Sequence, residues 1–155
     1  GAIAASTSAR RSVVGAQQAA ALAEPPPGFE VLLASTVAWL DASADVPHDL
    51  ITLGDPRYPP RLLDSPDPPV MLYVQGRCEL LQAESIAIVG SRNPSRQGVD
   101  NARAFATHLG DAGLVVVSGL ALGIDAAAHE GGLASAASTI ASERQGGTSE
   151  RPKKP

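Results

Sequence analysis

The most regular pattern of apolar and polar positions lies between Ser85 and Ala141. Ile86, Ala87, Ile88 and Val89 are apolar throughout and bounded by turn residues, which predicts a strand buried on both faces of a parallel sheet. Gly90, Ser91 and Arg92 follow in a polar, proline-broken loop. Val99, Ala102, Ala106 and Leu109 then fall at helical spacing with Phe105 beside the stripe, and Gly110 and Gly113 predict the stop. Leu114 to Val117 is a second all-apolar run, so the segment reads as a β-α-β unit. That second strand enters "SGLALGID", Ser118 to Asp125, and the alanine-rich "AAAHEGGLASAAS" starts another helix.

Upstream the texture is looser. In "EPPPGF", Glu24 to Phe29, three successive prolines lack amide donors, so no helix propagates through and the stretch acts as a hinge after an alanine-rich N-terminal segment. "FEVLLASTVAWLDAS" reads as one helix carrying Val31, Leu32, Ala38 and Trp39, although Ser35, Thr36 and Val37 weaken it. From Asp49, strand-like pieces at Leu50 to Leu53 and Val70 to Val74 alternate with proline-bound turns, and Glu79 to Ala83 fits a short helical turn. The predicted organisation is therefore a helical, Pro-rich region over 1–48, an irregular lead-in over 49–84, an α/β domain over 85–141, and a polar tail over 142–155 expected to be disordered.

Composition narrows this picture. The 155 residues are 44% hydrophobic, enough for one domain with a real core, yet only 3% aromatic. A net charge of -4 excludes global attraction to nucleic acid and restricts any such contact to a local patch. Cys78 is the single cysteine, which excludes an intrachain disulfide framework or a cysteine-based zinc cluster and suits a reducing cytosol. No apolar run approaches the ~18 residues of a membrane span, so the chain reads as soluble. Arg10-Arg11 has a twin-arginine look, with Ala21-Leu22-Ala23 resembling a cleavage site, but Gln17 and Gln18 interrupt the apolar centre an export signal needs. The sequence opens at Gly1 rather than Met, which is read as the loss or omission of something upstream.

The candidate chemistry sits in the two turns of the β-α-β region. Loops leaving the carboxyl ends of neighbouring parallel strands face one crevice, so the turns at Gly90 and Gly119 are expected side by side. Gly90, Gly119 and Gly123 permit close backbone approach, and amides at a helix start donate to an anion. Arg92 adds a guanidinium fork suited to phosphate oxygens, while Ser91 and Ser118 add hydroxyl donors. A glycine after a strand also serves simple strand-to-helix packing, so it is the pairing of the turns that favours a phosphate site. Neither turn is a Walker loop or a G-x-G-x-x-G fingerprint, and Ser118 lacks the G-x-S-x-G elbow of a nucleophile. No catalytic residue and no cofactor are therefore assigned. Arg96 and Arg103 either extend a phosphate track from Arg92 or are solvated helix positions. Asp125 and His129, four residues apart, fit an acid-histidine pair, half of a metal site, or two local roles. The local reading has Asp125 accept from the free amides of the helix start, worth roughly 1 kcal/mol, and assigns no metal.

These residues carry a resemblance. "IAIVGSRNPSRQGVDNARAFATHLGDAGLVVVSGLALGIDAAAHEGGL", Ile86 to Leu133, resembles the first half of the Rossmann-like domain of the DNA-processing protein A (DprA, or Smf) family, and "DPRYPPRLLDSPDPPVMLYVQG" is similar to that family's lead-in. The match spans about Asp55 to Ala141, and its specific part is G-S-R followed by S-G-x-A-x-G-I-D-x-x-x-H. It implies a partial Rossmann-like parallel sheet and a cytoplasmic protein that binds single-stranded DNA and hands it to the RecA recombinase in natural transformation, without catalysing bond changes. Gly90, Ser91 and Arg92 match the family's first phosphate-contacting turn, and Ser118, Gly119, Gly123 and Asp125 its second. Few aromatics lie near the turns, so a base-stacking platform is not expected.

The sequence departs from the family after "STIA", Ser138 to Ala141, which resembles the start of a third strand. "SERQGGTSERPKKP" then stands where further strands, a DNA-contacting lysine and the self-association surface belong. The expectation is a truncated, frameshifted or degenerate relative without the basis for a homodimer, its only lysines, Lys153 and Lys154, in the tail. Two other readings stand beside the DNA binder. "QGGTSE" resembles the glycine-threonine-glutamate motif of phosphoribohydrolases that bind nucleoside monophosphates, though no strand precedes it here, and the chain also fits a non-functional fragment.

Overall fold

The computed structural model describes residues 6–21, 24–42 and 45–143. The tail reading, Lys153, Lys154 and "QGGTSE" lie outside the described residues. The chain divides into two compact units, residues 1–49 and 50–155.

In the first unit the alanine-rich segment forms two short helices, α1 (Thr7–Val13) and α2 (Ala16–Ala21). They are separate because Gly15 interrupts the alanine run, and its carbonyl accepts from Ala19 N at 2.9 Å. Arg11 of the twin-arginine pair is exposed on α1. After the prolines, Gly28 at φ +83 turns the chain into α3 (Phe29–Asp41), a single helix despite its Ser-Thr-Val centre. The Trp39 and His48 rings stack at 4.2 Å, and His48 Nδ1–H donates to Trp39 O at 2.6 Å.

The second unit opens with a two-stranded sheet of β1 (His48–Thr52), which begins at the boundary, and β2 (Met71–Gln75). Between them α4 (Pro60–Leu63) begins on a proline, as a first helical turn allows. Tyr58 is buried and its hydroxyl donates to Pro69 O at 2.7 Å, while Asp55 and Arg57 pair at 2.8 Å. A 3-10 turn, Cys78–Gln82, follows, and Gln82 Nε2 donates to the carbonyls of Arg57 and Tyr58. The lead-in is thus closed by side-chain bonds to backbone carbonyls where prolines have removed amide donors.

The α/β part carries the site. A three-stranded parallel sheet of order β3-β4-β5 comprises β3 (Ser85–Ala87), β4 (Val115–Ser118) and β5 (Thr139–Ala141). Ile86 registers with Val116, and Val117 with Ile140. α5 (Arg96–Asp111) connects β3 to β4 and α6 (Ile124–Leu133) connects β4 to β5, giving a partial Rossmann-like α/β fold. Ala106, Val116 and Ala128 form the fully buried core, with Ile88 packed against it. α5 and α6 approach closely because Gly131 has no Cβ: one built there meets Arg103 O at 2.3 Å and Ala106 Cβ at 2.7 Å.

Three expectations are corrected. The β3 strand is not buried on both faces: it is an outer strand of the described sheet, Ala87 is exposed, and Val89, beyond its end, is 72% exposed. Gly110 does not stop α5. It lies buried inside the helix against Ser135, and the stop comes from Gly113 at φ +96, after which Leu114 N donates to Leu109 O at 3.1 Å. Phe105 faces outward at 62% exposure rather than flanking a buried stripe. No helix among the described residues is long and apolar enough to cross a membrane.

Candidate functional site

The first turn is shaped by the start of α5. Ser95 caps that helix, its Oγ accepting from Gly98 N at 3.2 Å, so the chain must travel from the end of β3 to Ser95 in an irregular loop. Within it Ser91 Oγ accepts from Asn93 N at 3.1 Å, leaving its hydroxyl hydrogen available, and Ser91 O accepts from Ile124 N at 3.1 Å. Ser91 and Arg92 are exposed, and neither backbone amide has an acceptor among the described residues.

The second turn meets the first through Gly90 and Gly123, and Gly119 gives room to Asp125 within the second turn. A Cβ on Gly90 falls 2.8 Å from the Ile124 side chain. One on Gly123, whose φ of +88 is already open to glycine alone at low cost, falls 2.3 Å from Ser91 O and 2.8 Å from Arg92 O. One on Gly119 falls 2.8 Å from Asp125 Oδ2. The turns therefore lie side by side, backbone against backbone, at the carboxyl ends of adjacent parallel strands. The amides of Gly119 and Leu120 likewise have no acceptor among the described residues, and Leu120 and Leu122 project outward at the rim.

Several side chains act differently from expectation. Ser118 is buried and its hydroxyl donates to Ile88 O at 2.6 Å, so it ties β4 to β3 and has no hydrogen left for a phosphate. Asp125 does not cap α6. The cap residue is Gly123, and Asp125 Oδ1 accepts from Gly90 N across the crevice at a long 3.4 Å. His129 does not pair with Asp125. Its Nε2–H donates to Gly119 O at 2.7 Å, and its Nδ1 lies 2.9 Å from Thr139 Oγ1, whose single hydroxyl hydrogen is divided between that nitrogen and Val116 O at 2.7 Å. No cluster of His, Cys, Asp or Glu among the described residues fits a metal ion. His129 is instead a strut that fixes the second turn from beneath.

Charge separates the arginines. Arg103 bonds Glu130 on α6 and lies 3.6 Å from Asp100, and the hydrogen bond to Glu130 raises its pKa further above the ordinary arginine value. It is a structural pair joining two helices, not part of a track. Arg92 and Arg96 are exposed and have no partner among the described residues. Arg96 is also the first residue of α5, whose first turn carries no acidic residue, so its charge opposes the helix macrodipole. That placement costs about a few tenths of a kcal/mol.

The structure brings Gly90, Ser91, Arg92, Gly119, Gly123 and Asp125 together where the two turns meet, with Ser118 buried at the end of β4 and Arg96 at the start of α5. Ile124 and Thr139 are additional supports that sequence reasoning passed over. Ile124 was legible only as an apolar residue inside "GID", and Thr139 contacts His129 only because β5 lies beside β4.

The family model described as DNA recombination-mediator protein A matches residues 49–154. Protein Smf of Escherichia coli (strain K12) is 38% identical over 99 residues, covering 64% of this chain and 26% of that protein. DNA processing protein DprA of Streptococcus pneumoniae is 42% identical over 87 residues, covering 56% of this chain and 30% of that protein. The crystal structure of DprA from Streptococcus pneumoniae superposes with a TM-score of 0.58 at 32% identity, over 80% of this chain and 44% of that one. The chain thus spans under a third of the length of these curated relatives. With the family model covering more than half of its residues, and with the crevice glycines held in the backbone arrangement described above, the chain belongs to the DNA recombination-mediator protein A family.

Proposed function

We propose that the paired turns bind the phosphate backbone of single-stranded DNA without reading its sequence, and that the chain does so as a DNA-processing protein and not as an enzyme. The observation that carries this reading is a pair of exposed arginines without a partner among the described residues, Arg92 in the first turn and Arg96 at the start of α5, in a segment where the Ser91 and Arg92 amides also have no acceptor among them. Guanidinium and amide donors match phosphate oxygens, and contacts to phosphate position a strand while carrying no base information. The single-stranded form is favoured because a flexible strand bends to follow donors presented by two adjacent loops and a stiff duplex does not. Transfer of the strand to a RecA-type recombinase in transformation is the role that the family resemblance adds to this reading.

The test is fluorescence anisotropy with a labelled oligo-dT, repeated with a duplex of the same length and with Arg92→Ala. The expected result is binding to oligo-dT that weakens in the variant and a weaker signal for the duplex. Release of base from AMP, followed by chromatography, with no change in oligo-dT anisotropy overturns the proposal in favour of a nucleotide-cleaving enzyme.

A further inference from the structure

A buried acidic side chain stands where the two turns meet. Asp125 is only 7% exposed, its Oδ1 accepts from Gly90 N at 3.4 Å, and its Oδ2 stands 2.8 Å from the position of a Cβ on Gly119. The carboxylate therefore lies between the two strand tips, at the head of the following helix, where an open parallel sheet ordinarily admits a nucleotide phosphate. Two donors that such a phosphate needs are also engaged, Ile124 N by Ser91 O and the Ser118 hydroxyl by Ile88 O.

Nothing about holding Gly90 requires a charge at position 125. An asparagine oxygen accepts from the same amide, and Asp125 has no cationic partner among the described residues to repay its burial. The helix dipole offsets part of that cost and makes a charged group tenable there. The donors left for a ligand, Ser91 Oγ, Arg92, Arg96 and the loop amides, are on the rim instead.

We propose that Asp125 is a specificity-determining residue: it closes the inner crevice to the terminal phosphate of a free nucleotide and confines recognition to internal phosphodiesters lying along the rim. This rests on the single-strand reading above. The discrimination follows from charge, because a terminal phosphate carries close to two negative charges at neutral pH and an internal phosphodiester one.

The experiment compares the full chain with Asp125→Asn, which keeps the acceptor for Gly90 N. AMP binding is measured directly by calorimetry and oligo-dT binding by anisotropy, with circular dichroism as the folding control. The ratio of AMP affinity to oligo-dT affinity rises at least about tenfold in Asp125→Asn, and the wild-type chain binds oligo-dT equally with and without a 5′-phosphate. A folded variant with an unchanged ratio overturns the proposal. So does a wild-type preference for the 5′-phosphorylated strand, which decides the matter if the variant does not fold. Loss of oligo-dT binding in the wild type together with a gain for AMP in the variant refutes the single-strand reading and leaves the gating role standing. Oligo-dT binding without the AMP gain refutes the gating role alone.

Discussion

Replacing Gly123 with alanine tests whether the two turns are locked to each other by backbone contact. At φ +88 and ψ -123 the position lies in a region that side chains rarely adopt, which costs ~1–3 kcal/mol. The added Cβ meets Ser91 O at 2.3 Å and Arg92 O at 2.8 Å, and these are backbone atoms that cannot rotate aside. Moving them strains the loop by ~1–3 kcal/mol and breaks the 3.1 Å bond from Ile124 N to Ser91 O, worth ~1 kcal/mol. The sum, about 3–7 kcal/mol, is a large share of a typical domain's stability of ~5–15 kcal/mol. Gly54→Ala is the matched control, because Gly54 has φ +96 but nothing within 4 Å of a Cβ, so it carries the strain without the clash. In urea unfolding followed by circular dichroism, Gly123→Ala shifts the midpoint at least about 1 M further than Gly54→Ala. Equal shifts for the two variants refute the claim that the turns are in contact.

Gly98→Ala has the opposite sign: the position is helical, its Cβ meets only ordinary contacts at 3.5 Å or beyond, and the substitution stabilises by about 0.5–1 kcal/mol in the same unfolding assay. Glu130→Gln removes the charged partner of Arg103 and lowers the thermal midpoint slightly, by an amount that shrinks in high salt, while oligo-dT affinity is unchanged because neither residue belongs to the crevice. The hydrogen bonds from Arg57 hold Asp55 below its ordinary pKa, so their contribution is present above the ordinary aspartate value and is lost as pH falls through the lowered one. The wild-type chain therefore loses slightly more thermal stability than Arg57→Ala over that acidic window, as scanning calorimetry at stepped pH reads out.

What the sequence made legible was local and periodic. The helical spacing of Val99, Ala102 and Ala106 located α5, and the apolar runs on either side located β3 and β4 to within a residue or two. The glycine turns and Arg92 were recognisable because turn chemistry and strand ends are written in adjacent residues. Partnerships across the fold were not legible. Ser118 looked like a free donor until Ile88 O appeared 2.6 Å away, just past the end of β3, and Asp125 looked like a helix cap until its acceptor proved to serve Gly90. Arg103 likewise took its meaning from Glu130, 27 residues along the chain and brought near by the α5–α6 packing at Gly131. Val89, apolar in sequence, is exposed because burial depends on what flanks the sheet and not on the run itself.

The proposed hold on phosphates by charge at the rim is measured most directly by the dependence of oligo-dT affinity on salt. Plotted as log affinity against log salt concentration, the wild-type chain gives a negative slope, and Arg92→Ala makes it shallower by about 0.7, the release expected for one phosphate contact on a single strand. A wild-type slope near zero, or an Arg92→Ala slope equal to that of the wild type, contradicts it.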